Sequence, residues 1–193
     1  MSKIDPRFIQ DEGQAIFTGN ELLVKGALEA AGGTHLFTGY PGSPIAGYFD
    51  ALESLRPLLQ DKGIVAKQAG NEAISVAMVN GAQMVGGRAI TAFKSVGLHV
   101  ASDALALGVL AGTQGDSGGI IVVGDDPWSD STQVPADSRY IAEHVRMPML
   151  EPSCAQEVKD WIDLAFKIGR AGQIYVGYNM TVTTADGGGT VEV

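Results

Sequence analysis

Glu72 is the residue with the clearest chemical potential in this chain. It stands in the string "QAGNEAIS", where an apolar strand-like run gives way to a helical one. An acid in a first helical turn is favoured by the helix macrodipole, and capping is the ordinary reading of it. Here Glu72 leads a helix read as buried and faces the same edge as the other strand-end loops, so a pocket role stands level with capping. Other strings also break a strand pattern: "TGYPGSP" (Thr38 to Pro44), "KSVG" after "RAITAFK", and "GDDPWSDS".

Several other chemistries can be set aside. Asp125 and Asp126 form a carboxylate pair of a kind that binds metals. No further ligand stands at a supporting spacing, so a solvated or helix-capping turn is the expectation. "GDSGG" at Gly115–Gly119 resembles a serine-protease string, but it precedes a strand and has no evident His or Asp partner. His35, His99 and His144 lack metal-ligand spacing. A structural role is the simpler reading, although His99 could reach the same edge as Glu72. Neither GxGxxG nor GxxxxGK[ST] occurs. The one cysteine, Cys154, excludes an intrachain disulfide and a four-cysteine cluster.

These strings are separated by alternating elements. "NELLVKGALEA" (Asn20 to Ala30) reads as a helix with Asn20 as N-cap and Gly32 as stop. "HLFTGY" reads as a strand, Pro44 to about Leu55 as a helix, and Gly63 to Ala69 as a strand. Asn71 to Gly87 reads as a helix buried on more than one side. "RAITAFK" is a strand, "HVASDALALGVLAG" a helix, and "GIIVVGDD" a strand covered on both faces. After the acidic loop "DDPWSDSTQVPADS" come a helix near Arg139 to Val145, a short strand "MPMLEP", the amphipathic "SCAQEVKDWIDLAFKIGRAG" and a strand "QIYVGYN". The close, "TTADGGGTVEV", reads as a glycine-rich tail or linker over residues 184–193.

Six strands alternating with helices predict one α/β domain over residues 1–193, a three-layer α/β/α stack on a mostly parallel sheet. Ligands bind such sheets outside the carboxyl ends of the strands. The four strings would therefore share one edge. The 193 residues suffice for an ordinary core, and 45% hydrophobic with 18% charged residues is a globular balance. A net charge of −9 leaves no basic stripe for nucleic acid. No apolar run approaches the roughly 20 residues of a membrane helix, and the N-terminus lacks a signal-peptide core, so a cytoplasmic protein is expected.

Four segments, in order and spacing, resemble one family: "TGNELLVKGALEAAGGTHLFTGYPGSP", "QAGNEAISVAMVNGAQMVGGRAITAFKSVGLHVASD", "GGIIVVGDDPWSDSTQVPADSRYIAEHVRMPMLEPS" and "GYNMTVTT". Together they resemble the pyrimidine-binding domain of the 2-oxoacid:ferredoxin oxidoreductases, with the indolepyruvate alpha subunit the best match, from about Phe17 to Thr184. The resemblance implies a thiamine diphosphate-binding fold and oxidative decarboxylation of a 2-oxoacid to acyl-CoA, with electrons passed to ferredoxin. It implies that Glu72 is catalytic. In this role it hydrogen-bonds the aminopyrimidine and favours the imino tautomer, so that the ring can take the proton from the thiazolium carbon. It further implies that Tyr40, Pro41, Gly42, Val96 and Gly97 line the cofactor and that Ser43 and Ser95 face substrate.

The chain departs from the family at Ser95, where His is frequent, and at His99, where Asn is frequent. "DDPWSDSTQ" replaces a "DDPGMHSSQ" type, with Trp128 in place of Gly. There is no GDG…N motif and no set of cluster cysteines. The resemblance thus implies a heteromer. Magnesium and iron–sulfur clusters would sit on a diphosphate-binding domain or subunit and an iron–sulfur subunit, with the 2-oxoacid, coenzyme A and ferredoxin as further partners. Two alternatives stay open: a non-oxidative decarboxylase of sulfopyruvate or phosphonopyruvate type, and a non-catalytic scaffold.

Overall fold

Strand β5 (Gly118–Asp125) is buried at every position and explains the architecture around it. Its run of Ile and Val alternates between two cores. Ile120 and Val122 enter one, and Ile121 and Val123 the other. A strand covered on both faces needs helices above and below. Each fully buried Ile or Val contributes roughly 1.5–3 kcal/mol from the area it removes from water. The computed structural model describes residues 4–193.

Six parallel strands form the sheet in the order β3–β2–β4–β5–β7–β6. They are β2 (Leu36–Gly39), β3 (Val65–Gln68), β4 (Arg88–Lys94), β5, β6 (Met149–Leu150) and β7 (Val176–Thr181). One face carries α1 (Gly19–Glu29), α2 (Ala46–Ser54), α3 (Arg56–Asp61) and α7 (Ala155–Gly172). The other carries α4 (Glu72–Met84), α5 (Ser95–Ala111) and α6 (Arg139–His144). The α/β/α stack and the six sheet strands agree with the sequence reading.

Four details differ from that reading. Helix α1 is capped by Thr18, not Asn20. The Thr18 hydroxyl accepts from the Glu21 amide, and the Glu21 carboxylate accepts from the Thr18 amide, so one reciprocal box satisfies two free ends. Helix α2 starts at Ala46, with Pro44 outside it, and Arg56–Asp61 is a separate helix. Helix α5 starts at Ser95, so "KSVG" is a strand end and a first helical turn, not a loop. Helix α4 is buried on one side only, and Ile74, Met84 and Val85 stand exposed.

The glycine-rich close is not a tail. It forms α8 (Val182–Asp186) and β8 (Gly188–Glu192), and β8 pairs antiparallel with β1 (Gln14–Thr18). Gly188 lies so close to this partner that a β-carbon there would fall 2.1 Å from the Phe17 carbonyl. Phe17 and Val191 enter the core below the ribbon, which is what fixes the pairing. No helix among the described residues is long and apolar enough to cross a membrane.

Candidate functional site

The carboxyl edge of the sheet assembles the sequence strings as expected, and the connection after β2 shows how. Gly39 ends that strand with φ +144, and a β-carbon there would lie 2.1 Å from the Ala92 carbonyl. Only glycine fits both demands. The Tyr40 amide then donates to Ala92 O at 3.0 Å, and the Ala69 amide donates to Gly39 O at 2.9 Å. The ends of β2, β3 and β4 are thereby tied together. From α1, the Asn20 side chain donates to Pro44 O at 2.9 Å and holds the far end of the turn.

Within that turn, Gly42 lies against the aliphatic stem of Lys94. A β-carbon at Gly42 would be 3.1 Å from Lys94 Cδ and 3.3 Å from Cγ. Ser43 shares a 2.7 Å hydrogen bond with Ser131, so its hydroxyl already has a partner inside the chain. Tyr40 is exposed and Pro41 stands at the surface beside it.

Glu72 is the first residue of α4. Asn71 caps the helix by accepting from the Ile74 amide at 2.8 Å. Ser75 donates to the Glu72 carbonyl at 2.7 Å, and Thr91 of β4 donates to the Ser75 hydroxyl at 2.9 Å. That chain of bonds fixes the first turn to the sheet. The residue is only 7% exposed, and its carboxylate has no hydrogen bond or ion pair among the described residues. It packs on Gly97 in the first turn of α5, where a β-carbon would come within 2.5 Å of Oε1. The positive ends of two helix macrodipoles therefore flank this carboxylate.

Ser95 and Val96 line a cleft of about 310 Å³, closed on its far side by His99, Ile141 and the segment from Val134 to Ser138. Ser95 is 4% exposed. The cleft includes neither Glu72 nor the Tyr40–Ser43 turn, so the expected residues share an edge without lining one common cavity. A larger cavity of about 580 Å³ lies between β3 and α2–α3.

Asp125 and Asp126 are buried, not solvated. Asp126 accepts from the amides of Asp130, Ser131 and Thr132 at 2.9, 2.8 and 2.6 Å. Burial works against its charge, but these donors outweigh burial and hold its pKa below the usual carboxylate value. Asp125 accepts from the Ser138 amide at 3.0 Å and from the Ser138 hydroxyl. Burial dominates there and raises its pKa. The two acids thus staple both ends of the strap between β5 and α6, and Trp128 stands 83% exposed at its tip.

The remaining candidates resolve as structural. His35 Nδ1 accepts from the Arg88 amide. Ser117 of "GDSGG" is buried and accepts from the Gln114 amide within a turn. Cys154 is free and exposed. Among the described residues, no group of three or more His, Cys, Asp or Glu side chains could hold a metal ion. The sequence reading quoted Lys94 within "KSVG" but gave it no role.

The fold is that of a domain of the 2-oxoacid:ferredoxin oxidoreductases. A solved structure of 2-oxoglutarate:ferredoxin oxidoreductase from Magnetococcus marinus, with 2-oxoglutarate, coenzyme A and succinyl-CoA bound, matches 93% of this chain with a TM-score of 0.74, at 19% identity and over 31% of that chain. By sequence, the chain is related over most of its length to the proteins named indolepyruvate oxidoreductase subunit IorA. It is 35% identical to that of Archaeoglobus fulgidus over 81% of this chain and 25% of the relative. It is 35% identical to that of Pyrococcus horikoshii over 84% of this chain and 24% of the relative. For Thermococcus kodakarensis the identity is 32%, over 92% of this chain and 26% of the relative. The chain spans about a quarter of the length of these relatives. No protein-family model matches it.

Proposed function

We propose that this chain is the pyrimidine-binding part of a thiamine diphosphate-dependent 2-oxoacid:ferredoxin oxidoreductase of indolepyruvate type, which converts a 2-oxoacid to acyl-CoA together with partner domains. The observation that carries this reading is Glu72. The residue is 7% exposed, its backbone is fixed at a strand-to-helix junction on the carboxyl edge, and its carboxylate has no hydrogen-bond or ion-pair partner among the described residues. A buried carboxylate is costly unless something donates to it. The ring N–H of a protonated aminopyrimidine is a donor of the right kind. When bound, thiamine diphosphate supplies a carbon nucleophile that attacks the 2-oxoacid carbonyl.

The chain's own contribution is acid–base tuning and placement. Glu72 would accept a hydrogen bond from the ring N–H and so keep the proton on that nitrogen. Gly97 leaves the carboxylate space to lie against α5. Tyr40, Pro41, Gly42 and Val96 border the ring, and Ser95 faces substrate. Ser43 can donate to substrate while accepting from Ser131. In this reading magnesium and iron–sulfur clusters belong to partner domains or subunits, and ferredoxin takes the electrons. The chain is then one domain of a cytoplasmic hetero-oligomer.

The test is Glu72→Gln in the assembled complex. Turnover, read as 2-oxoacid-dependent dye reduction, falls by roughly 100-fold or more, while size-exclusion chromatography shows the complex intact. Near-normal reduction rates in that variant overturn the assignment.

A further inference from the structure

A 2-oxoacid brings a carboxylate that must leave water to reach this edge. It needs a cation or several N–H donors once there. Three basic residues lie near the carboxyl ends of the strands; one is already paired and one faces a different cavity. Arg139 pairs with Asp137 at 2.7 Å and Glu151 at 3.7 Å, and the Asp137 contact keeps it firmly charged. Lys67 sits on the exposed edge strand and lines the cavity between β3 and α2–α3.

Lys94 remains. It is the last residue of β4, half-buried, and in register with Gly124 of β5. Its stem runs along Gly42, the middle of the turn that borders the proposed site. Among the described residues its ammonium has no ion pair, and Asp125, Asp126 and Asp137 are bonded to Ser138, to the strap amides and to Arg139. Lys94 is also the N-cap residue of α5, and no side chain caps that helix. The first-turn amides of Ser95, Val96 and Gly97 therefore have no intrahelical acceptor. Ser95 beside them is 4% exposed and lines the cleft, and its hydroxyl has no hydrogen-bond partner among the described residues.

Resting on the function proposed above, we infer that Lys94 holds the carboxylate of the 2-oxoacid, with Gly42 keeping its stem in place and Ser95 donating a second bond. The consequence for kinetics follows from charge. The carboxylate loses its charge as carbon dioxide departs, so Lys94 grips the ground state at least as well as the transition state. Its removal raises KM more than it lowers kcat.

The experiment uses the assembled complex. Lys94→Met raises KM for the 2-oxoacid about 10- to 100-fold, as expected for a lost hydrogen bond to a charged group. Lys94→Arg restores part of it, and Gly42→Val gives the same KM signature with Lys94 intact. A second readout needs no turnover. In the Glu72→Gln complex, acetic anhydride acetylates Lys94, read by peptide mass spectrometry, and the 2-oxoacid slows that acetylation. Protection by coenzyme A or thiamine diphosphate alone, protection by nothing, or an unchanged KM in Lys94→Met overturns the inference. If Glu72→Gln is inactive while Lys94→Met is kinetically normal, only the Lys94 assignment fails. If Glu72→Gln retains turnover, the thiamine reading itself fails.

Discussion

Gly97 and Glu72 are packed so that a β-carbon on Gly97 would lie 2.5 Å from Glu72 Oε1 and 2.6 Å from its Cγ. The carboxylate rests on bare backbone in the first turn of a neighbouring helix. Gly97→Ala cannot be accommodated without moving one of the two. Alanine is the better helix former by about 1 kcal/mol, which offsets part of the collision. Under the proposed function, the expected outcome is a variant whose Tm moves by only a few degrees while turnover falls roughly 100-fold, the cost of a catalytic group displaced by an ångström. Thermal denaturation and dye reduction on the same preparation check both halves. Full activity would mean that the seat of Glu72 on α5 is irrelevant to catalysis.

The two strap acids predict opposite responses to pH. The folded pKa of Asp126 is lowered, so the stability it lends is fully present above its unfolded value of 3.8 and is lost as pH falls through the lower folded value. The folded pKa of Asp125 is raised, so its ionisation costs stability at neutral pH and acid relieves that cost. In an NMR titration the amides of Asp130, Ser131 and Thr132 should move with a midpoint below 3.8. The Ser138 amide should move with a midpoint above that value. Asp126→Asn should remove the low-pH step. Strap amides that titrate together with Ser138 would rule out the two-staple description.

Much of this site was legible in the sequence because each part is local. A Val/Ile run announces a strand covered on both faces, and Glu72 sits where a strand pattern turns helical. The shared edge then follows from parallel topology alone. What stayed hidden depends on distant partners. The β1–β8 ribbon joins Gln14 to Glu192, and a Gly-Gly-Gly string gives no hint that a strand on the opposite end of the chain awaits it. Asp125 and Asp126 read as solvated because the amides that neutralise them arrive from a loop with no periodicity. The role of Lys94 needed Gly42 beside it, a contact between residues 52 positions apart.

The ribbon itself gives a third prediction. Val191 is 1% exposed and packs into the core with Ala15 and Phe17. If residues 188–192 are a structural strand, Val191→Ala should lower stability by roughly 1–2 kcal/mol, the loss of two buried methyl groups. Urea denaturation followed by circular dichroism measures it. A stability equal to the parent's would return the segment to the status of a tail.

The outer face of α4 and α5 yields the last prediction. Beyond Glu72, α4 carries no charged residue, and α5 carries only His99 and Asp103 as ionisable groups. Yet Val85 and Leu110 near their carboxyl ends are 86% and 84% exposed. The opposite layer is unlike this: α7 turns Asp160, Lys167 and Arg170 outward. An uncharged apolar surface of this kind is poorly solvated and invites association. Side chains that touch nothing in their own chain can be made charged at little cost, within about 0.5 kcal/mol each. Val85→Lys with Leu110→Lys should therefore leave Tm nearly unchanged. The pair should also lower binding of an apolar dye and reduce self-association of the isolated chain in sedimentation velocity. A large fall in Tm would mean that these two side chains are packed within the chain rather than presented by it.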